Sequence, residues 1–367
     1  DERNIHTGDK EYFVKPIDLN SGSKLEAINV IYSKENKKKM EEALDDFKPD
    51  IVHINNFQRQ LSESIVEAAY KRHIPIVFTA HDLQAICPAI SMLDSKNNIC
   101  ELCLKGKYIN CIKKKCIKNS NLKSLLGAIE GKYYRMHNVY TKKIAHIITP
   151  SAFYKAKLEE DGIDSNKITA IINFVDLENY NLECQDEGYA LYVGRLSKEK
   201  GILNLIKAFE SLREYKLYIA GEGSEKETIM KMIKDNQLNK NIKLLGYLKQ
   251  DKVKEYIRKA SFVVVPSIWY ENCPYSVIET LAIGKPIVGA NIGGIPELVK
   301  NEETGLVYKY DDVQELAEKM KKLFENKNVL IQYGENAKRF ANKVCNKEVY
   351  YEKLIKIYND LLRKEEK

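Results

Sequence analysis

The sequence predicts an α/β protein with two domains, each built on a parallel sheet. Short apolar segments rich in β-branched residues alternate with segments of helical periodicity along most of the chain, which is typical of strand–helix–strand units. The polar residues 176–187 break this alternation, and we place the domain boundary there. The length of 367 residues also favours two domains.

The first domain is predicted to comprise residues 1–180. Apolar runs predict its strands, and apolar residues spaced three and four apart predict its helices. An insert at residues 83–121 interrupts the alternation and contains most of the cysteines. The predicted strands are residues 11–17, 50–54, 75–80, 145–149 and 167–174, and the predicted helices are residues 34–47, 61–72, 122–143 and 153–160.

The second domain is predicted to comprise residues 181–345, followed by a C-terminal helix within residues 346–367. Its alternation of strands and helices is regular throughout. The predicted strands are residues 189–193, 216–220, 242–245, 262–267, 286–290 and 305–308. The predicted helices are residues 202–212, 226–235, 251–259, 275–281, 313–324, 329–338 and 347–363.

Composition and charge restrict the class of protein. A hydrophobic fraction of 44% and a charged fraction of 30% are typical of a soluble globular protein, and neither an apolar run of eighteen residues nor a signal peptide is visible. The net charge of +7 is uneven, because the stretch from Lys105 to Lys143 contains eleven Lys or Arg residues and one acid, Glu130. Such a block suits an anionic partner, such as lipid headgroups, a phosphorylated substrate or nucleic acid, and it also occurs on ordinary solvated surfaces.

The cysteines are clustered. Eight are present, and five of them fall between Cys87 and Cys116. The spacing of Cys100, Cys103, Cys111 and Cys116 predicts a structural zinc site with four thiolate ligands. An iron–sulfur cluster, disulfides and free thiols are alternative interpretations of the same spacing.

Two carboxylates flank a predicted helix start in the second domain. An apolar run at residues 262–267 predicts a buried strand, Pro274 stands where the next helix begins, and Gly284 ends that helix. Glu271 precedes the helix start and Glu279 follows it. Helix starts bind anions and carboxylates accept hydrogen bonds from sugar hydroxyls, so the segment suits a ligand with phosphate between two sugars. The alternative is an ordinary helix start where the helix dipole favours acidic residues.

Further candidate binding residues follow other strands. Gly194, Arg195 and Lys200 lie between a strand and a helix, where glycine allows close approach of the backbone and the two cations would neutralise a diphosphate. Leu248 also follows a strand, where its backbone would pair with a base. His81 follows a strand of the first domain, where it would contact substrate or transfer a proton, and a capping role is the alternative.

These motifs resemble those of the family 4 retaining glycosyltransferases, which have the GT-B fold. Glu271 and Glu279 match the family's motif of two glutamates separated by seven residues, which is its most specific feature here. The resemblance covers nearly the whole chain. It is carried by FTAHD (78–82), ITPSAFYKAKL (148–158), YVGRLSKEKG (192–201), IAGEGSEK (219–226), IKLLGYL (242–248), PSIWYENCPYSVIETLAIGKPIV (266–288) and GGIPELV (293–299).

The resemblance implies two Rossmann-like domains that face a cleft, the first on the acceptor side and the second binding a nucleotide-sugar donor. Arg195 and Lys200 would hold the donor diphosphate, with the backbone at Gly194 close by. Glu279 would bind the ribose hydroxyls. The C-terminal helix would cross back to the first domain.

The resemblance also implies which residues hold the donor sugar. Glu271 would bind it together with the backbone at Asn272, Cys273 and Pro274. His81 would face the sugar from the first domain.

One departure from the family concerns the beginning of the chain. Members begin with a strand and a Gly-rich loop that approaches the donor phosphate, and neither is found before Glu11. We therefore expect that about forty N-terminal residues are missing and that the first domain is incomplete.

The activity implied is transfer of a sugar from a UDP- or GDP-linked donor to a glycan or lipid-linked acceptor with retention of configuration, in surface polysaccharide synthesis of the bacterial type. No Asp-x-Asp motif is placed to bind a metal, so no catalytic cofactor is expected. The expected location is cytoplasmic, peripheral at the inner face of the membrane. The main alternative is a sugar phosphorylase or nucleotide-sugar epimerase of the same fold. A zinc-containing nucleic-acid-binding protein is disfavoured by Arg195, Lys200 and Glu279.

Overall fold

The computed structural model describes residues 10–17 and 24–365. The chain divides into two compact units. Unit 1 contains the residues up to Thr149, Lys155–Thr169 and the residues from Lys356 onward, and unit 2 contains Pro150–Tyr154 and Ala170–Ile355.

Unit 1 is built on a four-stranded sheet in the order β1-β2-β3-β4, in which β1, β2 and β3 pair in parallel. β2 is buried along its whole length, as expected for a parallel strand that is covered on both faces. The strands are β1 (Val52–Ile54), β2 (Ile76–Thr79), β3 (His146–Thr149) and β4 (Ile168–Ala170).

Helices of very different length surround this sheet. Short 3-10 turns at Leu104–Gly106 and Ser165–Lys167 and a π-helical segment at Val139–Lys143 accompany them. The helices are α1 (Lys24–Ile31), α2 (Lys34–Phe47), α3 (Ser64–Tyr70), α4 (Ile109–Lys113), α5 (Asn121–Met136) and α6 (Ala152–Glu160), the last of which begins in unit 2.

The predicted strand at residues 11–17 is wrong, because the described backbone there is not in a sheet. The side-chain amide of Gln60 accepts a hydrogen bond from the Ile17 N–H at 2.9 Å and donates one to its carbonyl at 3.1 Å. A side chain thus occupies the groups that a neighbouring strand would bind. Pro16 adds a position without an N–H donor.

The predicted helix at residues 122–143 is shorter in the structure. It ends at Met136, and Asn138 then adopts the left-handed conformation with φ of 54°. Asparagine tolerates that conformation better than most residues, and a helix cannot continue through it. The predicted strand at residues 167–174 is likewise reduced to β4.

Unit 2 is built on a six-stranded sheet in the order β10-β9-β8-β5-β6-β7, with every neighbouring pair parallel. Apolar runs form its central strands, and β8 and β9 are buried throughout. The strands are β5 (Tyr189–Val193), β6 (Lys216–Ala220), β7 (Ile242–Gly246), β8 (Phe262–Val265), β9 (Ile287–Ala290) and β10 (Gly305–Tyr308).

The helices of unit 2 follow its strands in the predicted alternation. Short 3-10 turns lie at Leu177–Tyr180 and Lys198–Lys200. The helices are α7 (Ile202–Phe209), α8 (Lys226–Asp235), α9 (Gln250–Lys259), α10 (Tyr275–Ile283), α11 (Ile295–Leu298), α12 (Val313–Phe324), α13 (Lys327–Val344) and α14 (Lys347–Glu365), whose last part belongs to unit 1.

The main part of unit 2 begins at Ala170, and the predicted domain boundary at residue 180 stays a prediction. The segment after β4 is held in unit 2, where the N–H of Val175 donates to the carbonyl of Cys345 at 3.1 Å and Val175 forms a bridge with Asn346.

The order of strands in unit 2 defines where a ligand would bind. β5 lies between β8 and β6, so the chain builds the sheet outward in both directions from this point. In open α/β sheets the crevice outside the carboxyl ends of the strands at such a switch point is the usual binding site. In the part of the chain that the structure describes, no helix is both long and apolar enough to pass through a lipid bilayer.

Candidate active site

A pocket of about 340 Å³ lies in unit 2 at the carboxyl ends of β5 and β8, beside the switch point. The two strand ends, the turn after β5, the loop after β8 and the start of α10 line it. The lining contains six residues that the sequence predicts for donor binding or catalysis: Gly194, Arg195, Lys200, Glu271, Pro274 and Glu279. The cations and carboxylates of separate strand–helix connections therefore meet in one place.

Glu271 lines this pocket and is only 5% exposed. The ammonium nitrogen of Lys200 is 2.6 Å from its Oε1, and the hydroxyl of Ser267 donates to the same oxygen at 2.6 Å. Lys200 also lies 5.1 Å above the ring centroid of Trp269. A buried carboxylate is retained only when it is paired and hydrogen-bonded, and both conditions are met here.

The turn after β5 brings Lys200 to this position. The 3-10 turn Lys198–Lys200 ends at Gly201, which has φ of 68°. A Cβ atom on Gly201 would lie 1.7 Å from the carbonyl oxygen of Pro266, so only glycine permits this contact between the turn and the end of β8.

Arg195 is held more loosely than Lys200. Its side chain is 67% exposed and its guanidinium is 3.3 Å from Glu199. The backbone is fixed, because the hydroxyl of Tyr192 donates to the Arg195 carbonyl at 2.7 Å. Exposed ion pairs contribute little free energy, so the guanidinium can turn to a phosphate in the pocket at small cost.

The start of α10 supplies a third positive feature. Pro274 caps the helix with extended backbone and forms no side-chain cap, and Gly284 ends the helix with φ of 90°. Both predicted helix limits are confirmed. Tyr275 and Ser276 line the pocket, and the N–H groups of a first helical turn have no partner within their own helix. The helix start thus favours an anion here.

Glu279 is oriented by two residues that sequence reasoning missed. The hydroxyl of Tyr180 donates to Glu279 Oε1 at 2.8 Å, and the side-chain nitrogen of Gln250 lies 3.3 Å from the same atom. Tyr180 is 4% exposed. Burial and the carboxylate raise its phenol pKa well above the ordinary value, so it stays a hydrogen-bond donor. It belongs to the polar stretch that the sequence presented as a domain linker, and no local signal marks its role.

The chain matches two glycosyltransferase family models. The family described as "Glycosyl transferases group 1" matches residues 178–340, and the family described as "Glycosyltransferase Family 4" matches residues 29–179. The two matches adjoin, and the chain belongs to the glycosyltransferases that these two models describe. The first match contains all six of the predicted residues that line the pocket.

Curated relatives of this family member match over part of their length. It is 31% identical over 219 residues to the uncharacterized glycosyltransferase MJ1178 of Methanocaldococcus jannaschii, covering 60% of this chain and 60% of that protein. It is 26% identical over 224 residues to the amylovoran biosynthesis glycosyltransferase AmsK of Erwinia amylovora, covering 58% of this chain and 55% of AmsK. The matched part thus spans less than two thirds of either relative.

The fold of this family member is that of solved GT-B glycosyltransferases. The crystal structure of Anabaena Alr3699/HepE in complex with UDP matches with a TM-score of 0.67 and 17% sequence identity. The match covers 88% of this chain and 82% of that chain. The predicted GT-B fold is therefore confirmed.

Three predicted donor-binding residues of this glycosyltransferase lie outside the pocket lining, although all are among the described residues: Leu248, Asn272 and Cys273. The side-chain oxygen of Asn272 accepts a hydrogen bond from Ser151 at 2.8 Å. Cys273 is buried, and burial raises the pKa of its thiol to about 12. Both side chains therefore support the loop before α10.

His81 lies in unit 1, immediately beyond the residue that follows β2. Its Nε2 is 3.3 Å from the side-chain oxygen of Asn55. Desolvation lowers the pKa of His81 below its ordinary value, so the ring is neutral at pH 7. Its role at the donor sugar stays a prediction.

The four-thiolate zinc site at Cys100, Cys103, Cys111 and Cys116 stays a prediction. No group of three or more His, Cys, Asp or Glu side chains within residues 10–17 and 24–365 is arranged to hold a metal ion. Cys103 and Cys111 pack with Tyr108 and Ala128 in a small apolar cluster, which Cys116 joins, while Cys100 is partly exposed. Burial raises the pKa of the Cys103 thiol to about 12.

Proposed function

We propose that this protein transfers a glycosyl group from a nucleotide-sugar donor to a glycan or lipid-linked acceptor with retention of configuration. One observation carries the proposal. Arg195, Lys200 and the start of α10 converge in the same pocket as Glu271 and Glu279. A pyrophosphate between two hydroxyl-rich groups has the complementary layout.

Each part of the pocket has a role in this reaction. Lys200, Arg195 and the helix start stabilise the diphosphate as negative charge develops on it, which is where preorganised positive groups accelerate a reaction most. Glu279 accepts hydrogen bonds from the ribose hydroxyls, and Glu271 accepts them from the donor sugar.

The proposed reaction needs no nucleophile from the enzyme. The bond between the anomeric carbon and the diphosphate oxygen breaks, and the anomeric carbon bonds to the acceptor oxygen on the same face. The acceptor proton passes to the leaving phosphate oxygen. The protein's contribution is positioning and charge stabilisation.

We propose a UDP-sugar as the donor and a growing surface glycan as the acceptor. The complex of Anabaena HepE with UDP supports the choice of nucleotide. The similarity to AmsK, which is named for amylovoran biosynthesis, supports the choice of acceptor. A sugar phosphorylase would differ in needing inorganic phosphate to release the sugar.

Thermal unfolding with nucleotides tests the donor site. We expect UDP at a hundredfold excess over its Kd to raise Tm by about 5 °C, and GDP to raise it less. We also expect the protein to release UDP slowly from one UDP-sugar. Glu279→Gln, which removes the charge that accepts ribose hydroxyls, is expected to weaken UDP binding about tenfold or more. The control Glu352→Gln changes an exposed glutamate of α14 and should have no effect.

Three results would contradict the proposal. They are no shift with any uridine or guanosine nucleotide, equal effects of Glu279→Gln and Glu352→Gln, and sugar release only when inorganic phosphate is added. The last result would favour the phosphorylase.

A further inference from the structure

The surface formed by α4 and α5 exposes apolar side chains in one continuous groove of about 450 Å³. Ile109 of α4 lines it, as do Leu125, Ile129 and Met136 of α5. Their exposed fractions are 56%, 41%, 46% and 67%. Soluble proteins expose single apolar residues commonly, but a contiguous set usually marks an interaction surface. We call these four residues and their rim the α4–α5 surface.

The arrangement of α5 is the reverse of an ordinary surface helix. Apart from Tyr134, its buried residues are small or polar, namely Ser124, Gly127, Ala128 and Glu130. At Gly127 the space is limited, because a Cβ there would lie 2.5 Å from a side-chain carbon of Ile117. A surface helix normally buries its large apolar residues, whereas α5 exposes Leu125, Ile129 and Met136.

The charged residues that line the groove are the cations Lys107 and Lys132. Glu130, the single acid between Lys105 and Lys143, is 2% exposed and bonds inward to Tyr134 and Gln84. It therefore contributes no negative charge to the surface.

Some cations of this segment are already paired with acids elsewhere in unit 1, namely Lys114 with Asp94, Arg135 with Asp161 and Lys143 with Glu63. Lys107 and Lys132 line the groove, and Lys113 lies one turn from Ile109. No carboxylate of a described residue lies within 4.0 Å of their ammonium groups. The apolar groove thus has a cationic rim.

We propose that the α4–α5 surface binds the face of an anionic phospholipid bilayer. Leucine, isoleucine and methionine side chains would enter the boundary between headgroups and acyl chains, and lysines at the rim would reach the phosphates with their flexible stems. Each lysine close to an anionic membrane contributes to the attraction. The contact is peripheral, and it holds whether or not the proposed activity is correct.

Two other occupants fit the surface less well. A second copy of the chain would meet this surface with the same surface in a two-fold dimer, and that would place the lysine rims against each other. Nucleic acid would match the lysines but would leave the central aliphatic side chains against charged phosphates. An anionic bilayer satisfies both the groove and its rim.

Co-sedimentation with vesicles of phosphatidylcholine, with and without phosphatidylglycerol, tests the proposal on the whole chain. We expect binding to the vesicles that contain phosphatidylglycerol and little binding to phosphatidylcholine alone. Ile109→Ser with Ile129→Ser should reduce the bound fraction strongly. Lys107→Gln and Lys132→Gln should each lower the partition coefficient about fivefold and reduce its salt dependence.

Matched controls distinguish binding through this surface from nonspecific hydrophobic or electrostatic binding elsewhere on the protein. Ile331→Ser removes a 63% exposed isoleucine of α13, and Lys231→Gln removes an exposed lysine of α8. Both should leave vesicle binding unchanged, and circular dichroism should show every variant folded. Absence of vesicle binding, or equal loss in the controls, would overturn the proposal. So would a dimer that Ile129→Ser dissociates, or oligonucleotide binding that competes with vesicles.

Discussion

The contact between Lys200 and Glu271 sets the electrostatics of the pocket at the scale of single residues. The two side chains have opposite charge and their atoms are 2.6 Å apart. An ammonium group has three N–H donors, so Lys200 can keep its bond to Glu271 while it donates to a phosphate. Removal of Lys200 would therefore leave a buried carboxylate unpaired as well as a diphosphate less well bound.

Tyr180 is expected to act as a positioning residue for Glu279. Tyr180→Phe removes the hydroxyl that donates to Glu279 at 2.8 Å and keeps the buried ring. Loss of one hydrogen bond to a charged group costs on the order of 1.5 kcal/mol, so we expect KM for the donor to rise about tenfold with a smaller change in kcat. Steady-state kinetics with the UDP-sugar measures both constants.

Two further variants test this role. Tyr351→Phe, at a 61% exposed tyrosine of α14, is the matched control and should be silent. In the Glu279→Gln background Tyr180→Phe should add little, because both changes remove the same interaction. Fully additive effects would show that Tyr180 acts independently of Glu279.

At the scale of elements, the close approach of the turn after β5 to the end of β8 holds the pocket together. Gly201→Ala places a methyl group 1.7 Å from the Pro266 carbonyl oxygen at a positive φ of 68°. Backbone must move to accommodate it, so we expect a loss of several kcal/mol of unfolding free energy and loss of the UDP-induced shift. Thermal unfolding with and without UDP measures both.

Gly188→Ala is the matched control for that prediction. Gly188 has a similar φ of 73°, but a Cβ there would meet no atom within 4 Å. It should therefore cost only about 1 kcal/mol, from backbone strain alone, with UDP binding intact. Equal effects of the two substitutions would mean that strain, and not the contact with β8, decides the outcome.

The helices and strands whose limits were predicted correctly are those in which the local sequence pattern agrees with the burial of the residues in the fold. β5, β6, β10, α8 and α12 have the predicted limits, because apolar runs or amphipathic periods are bounded by polar or turn residues. The failures depend on distant partners. Residues 11–17 have the pattern of a strand, but the side chain of Gln60, far along the chain, binds Ile17 instead.

The same distinction applies to the candidate site. Six predicted residues line one pocket, because residues at the carboxyl ends of adjacent parallel strands lie close together. Tyr180 and Gln250 reach Glu279 from other parts of unit 2, and sequence spacing does not reveal such contacts. Spacing also does not reveal that Cys103 and Cys111 pack with Tyr108 and Ala128 in an apolar cluster.

At the scale of the whole molecule, one buried carboxyl group of unit 1 is expected to affect stability as pH changes. Glu130 is 2% exposed, and burial raises its pKa from 4.5 to about 7, although the nearby Arg59 and hydrogen bonds from Tyr134 and Gln84 oppose the rise. The folded state therefore holds this proton more tightly than the unfolded state does. Stability from this group is fully present below pH 4.5 and is lost as pH rises towards and past 7.

Such a rise in the pKa of Glu130 corresponds to a loss of about 3 kcal/mol of unfolding free energy as the pH increases. Glu130→Gln should abolish this loss, and the glutamine keeps an oxygen that accepts the hydrogen bond of Tyr134. The Tm of the variant relative to wild type should therefore increase between pH 5 and pH 8, because every other group titrates equally in both proteins. Thermal unfolding at both pH values measures this double difference, with Glu352→Gln as the control that should show none. A relative Tm that stays constant or falls with pH would mean that Glu130 is already ionised in the folded protein at pH 5, in which case Arg59 outweighs burial.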